Sequence, residues 1–338
     1  MAFSDAPSGD GERRAPHAAL LSGGKLGALS LALACLRVGP ALVLVLMIAA
    51  LSVLSPYFLT PRNIGNVFAQ TAVIAVLAMG QHLVILTRGI DLSVGSNLAL
   101  ASVVGALLFR AVDSSVLVVA VMLAVGGTVG AVNGLVYVFG RLPHPFIITL
   151  ATLSVCKGLA FKLSGGQAVS GMPDAVRFIG HQTVGWFPVS AVLVAVIAVA
   201  LVTMARRMVW GRWFYAVGGN PDAAIRAGIP VRAVIVSAYV LSGRTNAGSG
   251  LFGDLAELDS IAAVIIGGAS FLGGRGNVGH ALVGALMIGV LRNALNLLNV
   301  DIFFQLIVIG VVIVLAVESD VLRGHLEQRF RVAQAESA

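Results

Sequence analysis

The chain has 338 residues, 58% of them hydrophobic and 11% charged, with a formal net charge of +7 and a mean hydropathy of +0.97. A soluble domain is nearer half apolar and a quarter charged, so this composition excludes an ordinary soluble domain, and its low charge excludes a disordered chain. The basic residues sit at the ends of apolar runs rather than on one polar face, which argues against nucleic-acid binding and for a chain embedded in lipid.

The apolar runs are long and unbroken, which favours helices over the short alternating strands of a membrane β-barrel. Taken in order, the predicted segments are Val38–Tyr57, Ile64–Leu86, Leu92–Phe109, Ser114–Phe139, Phe146–Leu163 and Val184–Met204. A short run at Val231–Gly243 follows, then Ile261–Leu272, Val278–Leu298 and Ile302–Val317. The expected fold is all-α and polytopic, with about ten membrane segments that include broken or re-entrant helices. Residues 1–37 make a polar N-terminal tail, 38–317 the transmembrane domain with a polar loop at 205–232, and 318–338 a C-terminal tail. No cleavable signal peptide is expected, because the first apolar stretch comes late and runs long.

Lys and Arg set the orientation. Arg13, Arg14, Lys25 and Arg37 precede the first segment and place the N-terminus in the cytoplasm. Counting forward puts the dense cluster Arg206, Arg207, Arg212, Arg226 and Arg232 inside, and the basic C-terminal tail with it. Cys35 and Cys156 lie in or beside apolar segments and are expected to be small packing residues. Gly126, Gly130 and Gly134 share one helix face, a spacing that lets helix backbones approach closely within one subunit. No nucleophile–base pair, no metal-ligand set and no phosphate-cradling glycine loop is present in the sequence. No catalytic residue, metal or cofactor is therefore expected, and the chain is not expected to be an enzyme.

The most informative polar stretch is "GGNPDAAIRAGIPVR", Gly218 to Arg232. Asn220 suits an N-cap, Pro221 the first helical position, and Asp222 the first turn, where the helix dipole favours a carboxylate. Gly228 suits a left-handed cap, and Pro230 blocks continuation. The predicted helix has about two turns, too few to stand alone, so it docks either on its own chain or in a partner's groove.

Four blocks together resemble one family, the membrane permeases of ATP-binding-cassette importers of the ribose/xylose type. They are "GIDLSVGS" at Gly89–Ser96, "GRLPHPFIITLATLSVCKGLAF" at Gly140–Phe161, "GGNPDAAIRAGI" at Gly218–Ile229, and "ELDSIAAVIIGGASFLGGRGNVG" at Glu257–Gly279, followed by "NALNLL" at Asn293–Leu298. The resemblance runs from Val38 to Val317 and implies a subunit of the bacterial inner membrane. Its implied partners are cytoplasmic ATPases, a periplasmic sugar-binding protein and a second permease copy. Under it, Asn220, Pro221, Asp222, Ala223, Ala224, Arg226 and Gly228 form the loop that couples to the ATPase.

Asp91 admits two readings. It can cap the segment that follows, with Ser93 sharing the orphan N–H groups, or it can line the path, since ionisable residues at membrane depth are functional suspects. Asn97, Asn133, Asn293 and Asn296 are further path candidates, because a neutral sugar needs hydrogen bonds more than charge. Glu257 and Asp259 are expected to cap a helix starting near Ile261. The glycine-rich interruption after it, with Gly267, Gly268, Gly273 and Gly274, is a candidate gate. The chain departs from the family after Gly243, where "RTNAGSGLFGD" replaces further apolar helix. The expected outcome is a short or distorted seventh segment that thins the bilayer, enters it partway, or joins with Gly250–Leu255 as a broken segment. The alternative function is a stand-alone secondary transporter of a small polar solute, and a non-transporting scaffold is a third.

Overall fold

The structure is a computed structural model and describes residues 23–246 and 256–337. In order, its elements are α1 (Gly23–Leu54), α2 (Pro61–Leu86), α3 (Val94–Ala111), α4 (Ser115–Phe139), α5 (Pro145–Ser164) and α6 (Asp174–His181). A two-stranded antiparallel hairpin follows, β1 (Thr183–Val184) and β2 (Phe187–Pro188). Then come α7 (Val189–Arg207), α8 (Val209–Gly219), α9 (Pro221–Arg226), α10 (Val231–Asn246), α11 (Ala256–Ile266), α12 (Val278–Leu297) and α13 (Ile302–Ser337). Residues Val38–Asp320 form one compact unit, which carries the candidate site. A second unit takes in the described residues before Val38 and those after Asp320.

Among the described residues, seven helices are long and apolar enough to cross a membrane: α2, α3, α4, α5, α7, α12 and α13. The protein is a multi-pass helical membrane protein. Local signals fix several helix ends. The Thr60 hydroxyl accepts the Asn63 N–H at 3.4 Å ahead of α2, and the Ser114 hydroxyl accepts the Leu117 N–H at 3.4 Å ahead of α4. Gly165 closes α5 in the left-handed region at φ 66.

Helix α2 is buried almost throughout, whereas α7 exposes most of its length, including Val192, Val196 and Val199. The buried helix therefore runs through the centre and the exposed one faces lipid. Around α2 lie α10, α11 and α12: Ala78 and Ile85 share an apolar cluster with Ala262, Val264 and Ile288 of α11 and α12, and Val76 and Met79 share another with Val234 and Ala238 of α10.

Close backbone contact holds α4 to α10. A Cβ at Gly130 would run into the Tyr239 carbonyl oxygen, and one at Gly243 into the Gly126 carbonyl oxygen. The glycine stripe Gly126, Gly130 and Gly134 is thus spent on packing within the chain, as its spacing suggests.

Several boundaries differ from the sequence expectation, among them the start of α7 at Val189 rather than Val184 and the end of α11 at Ile266 rather than Leu272. Helix α1 begins at Gly23, ahead of Val38, and α13 continues past Val317 to Ser337, so charged residues do not end either helix. Helix α10 runs through Arg244 to Asn246, giving 16 residues and a length of ~24 Å at 1.5 Å per residue. Arg244 continues the helix because its aliphatic stem lies against Gly127, where there is no side chain to displace it. Helix α11 starts at Ala256, not near Ile261, so Glu257 and Asp259 lie in its first turn. The suggested participation of Gly250–Leu255 lies outside the described residues.

Candidate functional site: a helix break joined to a short capped helix

The break between α2 and α3 spans Thr87 to Ser93. Helix α2 ends in a tight turn in which the Arg88 N–H donates to the Ile85 carbonyl at 2.9 Å and the Gly89 N–H to the Val84 carbonyl at 2.9 Å. Arg88 itself takes a left-handed conformation, φ 64, uncommon for a residue with a side chain. That conformation turns its guanidinium toward the end of α8. Nε donates to the Gly218 carbonyl at 2.6 Å and Nη2 to the Gly219 carbonyl at 2.7 Å. These are among the last carbonyls of α8, which have no partner within the helix and carry its negative dipole end.

The glycine-rich loop after α11 enters the same joint. The Gly274 N–H donates to the Leu86 carbonyl at 2.9 Å, and the Tyr215 hydroxyl donates to the Gly276 carbonyl at 3.0 Å. A Cβ at Gly218 would overlap the Leu86 carbonyl oxygen, so only glycine fits there. The end of α2, the end of α8 and the loop 267–276 therefore meet immediately before Asn220.

From Asn220 the short helix α9 departs. The Asn220 side chain accepts the Ala223 N–H at 3.0 Å, and Pro221 occupies the first turn. At the other end Gly228 adopts φ 75, and the Ile229 N–H donates to the Ala224 carbonyl at 3.0 Å. Ala224 is buried in an apolar cluster with Phe214, Val217 and Val234. Asp222, Ala223, Ile225 and Arg226 are exposed. One side of α9 is thus docked on its own chain, and the other is open.

Behind Arg88, Asp91 is fully buried at the centre of a polar network. Its Oδ1 accepts the Ser93 N–H at 2.9 Å, the Ser93 hydroxyl at 2.6 Å and the Asn133 amide at 3.4 Å. Asn133 also donates to the Ser93 hydroxyl at 2.9 Å and accepts from the Thr152 hydroxyl at 2.7 Å. The Ile90 carbonyl accepts from Thr149 at 3.3 Å and from the Tyr239 hydroxyl at 3.5 Å. With its side-chain amide oriented to match, Gln81 bonds both backbone groups of Asp91 at 3.2 Å. Groups from α2, α4, α5 and α10 thus converge on seven residues of connecting chain.

Residues 63–317 match the family described as "Branched-chain amino acid transport system / permease component". The chain belongs to this permease family. It is 40% identical over 299 residues to a ribose import permease protein of Bacillus subtilis (strain 168), covering 84% of this chain and 92% of the relative. It is 37% identical over 299 residues to a D-allose transport system permease protein of Escherichia coli (strain K12), covering 84% and 91%. To an L-arabinose ABC transporter permease protein of Azospirillum brasilense it is 34% identical over 312 residues, covering 88% and 91%. No solved structure matches the chain.

Within the permease, the sequence-derived site residues separate into distinct places. Asp91, Ser93 and Asn133 come together as described. Asp91 is not the N-cap of α3: Ser93 holds that position without a side-chain cap bond, and the one backbone N–H that the Asp91 carboxylate accepts is that of Ser93, before the helix starts. Asn97 lies apart, donating to the Gly126 carbonyl at 3.3 Å, with its own oxygen unpartnered. Asn293 exchanges two amide hydrogen bonds with Asn63 at 2.9 and 3.0 Å, and Asn296 accepts from Gln305 at 2.9 Å. Both asparagines tie α12 to neighbouring helices, far from Asp91 in the packing. Gly267 packs on the His280 carbonyl, and Gly268 follows it in the turn, while Gly273 and Gly274 belong to the joint with Arg88.

Asp259 does not cap α11. It is buried and forms an ion pair with Arg292 of α12 at 2.6 Å, while Glu257 sits one turn-side away in the same first turn. The sequence reading missed Arg292, Gln81, Thr149, Thr152 and Tyr239. Each is a polar residue inside an apolar segment, which is itself the available signal.

Proposed function

We propose that the chain is the membrane-spanning permease subunit of an ATP-binding-cassette importer that carries a monosaccharide delivered by a periplasmic binding protein. The observation that supports this best is the construction of α9. It is capped at both ends, seated through Ala224, open along Asp222, Ala223, Ile225 and Arg226, and joined through Gly218 and Arg88 to the break between two membrane helices. Residues Asn220 to Gly228 form the ATPase-coupling element. A push on α9 passes through Arg88 to the α2–α3 connector and the Asp91 network. Relatives named for ribose, D-allose and L-arabinose support a sugar as the cargo.

In this reading the face carrying Arg206, Arg212 and Arg232 is cytoplasmic, both termini lie on that side of the inner membrane, and two permease copies assemble with two ATPases. ATP drives a change between outward and inward access, and bound partners shift that balance only through different affinity for the two states.

The test is co-purification of the permease with the ATPase encoded beside it, followed by ATP-dependent uptake in vesicles. Association lost on Ile225→Asp, with the permease still folded, supports the reading. Sugar uptake in vesicles that contain no ATPase sinks it and favours a secondary transporter. That alternative also needs a coupling-ion site, and Asp259, one acid available for it, is already paired with Arg292.

A further inference from the structure

A cavity of about 250 Å³ lies between the start of α3, the face of α5 and the first turn of α11. Its buried end, the floor, is Gly95 and Ser96, its sides are the exposed Lys157 and Phe161 of α5 and the half-buried Glu257 of α11, and its exposed end, the mouth, is Gly166 and Gln167. Helices α3 and α5 run side by side in the same direction, with Leu100 and Val103 against Cys156 and Ala160. The mouth is therefore at the end of the molecule opposite α9. The floor lies in the first turn of α3, and the wall residue Lys157 stands ~18 Å along α5 from Pro145 at 1.5 Å per residue. Directly beyond the floor is the Asp91 network, since the Ser96 hydroxyl donates to the Ser93 carbonyl at 2.9 Å.

The lining has the chemistry of a polyol site. The Gln167 amide can donate and accept, the Ser96 hydroxyl accepts because its hydrogen is given to the Ser93 carbonyl, the Lys157 ammonium only donates, and an ionised Glu257 only accepts. The Phe161 ring adds an apolar face. A sugar hydroxyl both donates and accepts, so a monosaccharide has a matching hydrogen-bonding group for each of the four. One cation and one anion stand in the lining, and Lys157 and Glu257 are each already engaged within the protein. The cavity is therefore balanced for a neutral solute rather than an ion.

We propose that this cavity is the outward-facing sugar site of the permease, with Ser96, Lys157, Gln167 and Glu257 as its hydrogen-bonding residues and the Asp91 network as its closed floor. The proposal rests on the importer reading and gives that reading a place for its cargo, one that includes none of the Asn97, Asn293 or Asn296 candidates.

The test uses the whole complex in spheroplasts, in a background carrying Cys35→Ser and Cys156→Ala. Ser96→Cys, Gln167→Cys and, as a control on the exposed hairpin, Thr183→Cys are labelled from outside with a membrane-impermeant maleimide. Labelling is repeated with millimolar D-ribose, D-allose, L-arabinose or L-leucine. The expected result is labelling of all three sites, with one sugar slowing Ser96→Cys about tenfold at a concentration about ten times its Kd while Thr183→Cys is unchanged. Glu257→Gln and Gln167→Ala are expected to lower uptake about tenfold, about 1.4 kcal/mol, while ATPase co-purification is kept. Protection by L-leucine alone overturns the monosaccharide assignment. Uptake kept within about twofold in both variants, with no protection by any sugar, overturns the site and leaves the importer reading standing. Failure of the wild type to bind an ATPase is the separate failure of the importer reading, and the protection pattern still decides the site.

Discussion

Arg88 Nε lies 2.6 Å from the carbonyl oxygen of Gly218, across 130 residues of chain, and Arg88 Nη2 lies 2.7 Å from the Gly219 carbonyl. The side chain joins a membrane helix to the residues that launch α9. Hydrogen bonds to a charged group contribute about 1.5–3 kcal/mol each. Arg88→Ala is expected to lower ATP-driven uptake by about tenfold or more while basal ATP hydrolysis by the complex continues. Arg88→Lys restores only part of the uptake, because an ammonium cannot span both carbonyls with the guanidinium's fixed fork. Parallel uptake and hydrolysis measurements on one preparation check this.

The Asn220 side chain caps α9 through the Ala223 N–H. Asn220→Ala removes that bond, and loss of an N-cap costs about 1 kcal/mol. The expected outcome is roughly a fivefold weaker association with the ATPase, through local fraying of α9 that shifts the melting temperature of the permease only slightly, and Asn220→Asp keeps the association. Titration of immobilised permease with ATPase measures it.

Gly130 faces the Tyr239 carbonyl with no room for a Cβ. Gly130→Val is expected to destabilise the permease by about 1–3 kcal/mol, or to prevent its accumulation, through forced separation of α4 and α10. Gly158, which has nothing within 4 Å of an added Cβ, serves as the matched control: Gly158→Val leaves the melting temperature in detergent nearly unchanged.

Asp259 and Arg292 form an ion pair with the aspartate almost fully buried and the arginine partly exposed. Breaking such a pair from one side costs about 3–5 kcal/mol when both members are buried, and less here because Arg292 reaches solvent. Arg292→Leu is expected to destabilise the permease by about 2 kcal/mol, and the double variant Asp259→Leu with Arg292→Leu to recover most of it. Thermal unfolding of the four members of the cycle gives the coupling directly.

Much of this arrangement is legible in the amino-acid order because it is local. Asn220, Pro221, Gly228 and Pro230 specify α9 by turn and cap chemistry alone, and the structure follows them closely. The stripe Gly126, Gly130, Gly134 shows close packing without naming its partner. What stays hidden is pairing across long separations. Nothing near Arg88 indicates that its target is 130 residues away, and nothing near Asp259 points to Arg292. Asp91 shows the same limit. Its neighbourhood suggests a cap, yet its burial comes from Asn133 and the other groups on α2, α4, α5 and α10, whose convergence is a property of the whole bundle. Arg244 looks like a stop signal only until the bare surface at Gly127 is known.

The meeting of α4 and α10 has a mechanical consequence. Where peptide groups rest on one another through Gly130, Gly134 and Gly243, no flexible side chain lies between them to absorb a displacement. These two helices must travel as a single stiff plank. Compliance is left to the seam where α5 leans on α3 through Leu100, Val103, Cys156 and Ala160, which are deformable side chains. The permease therefore has one rigid wall and one yielding wall, and the yielding wall borders the cavity that faces away from α9.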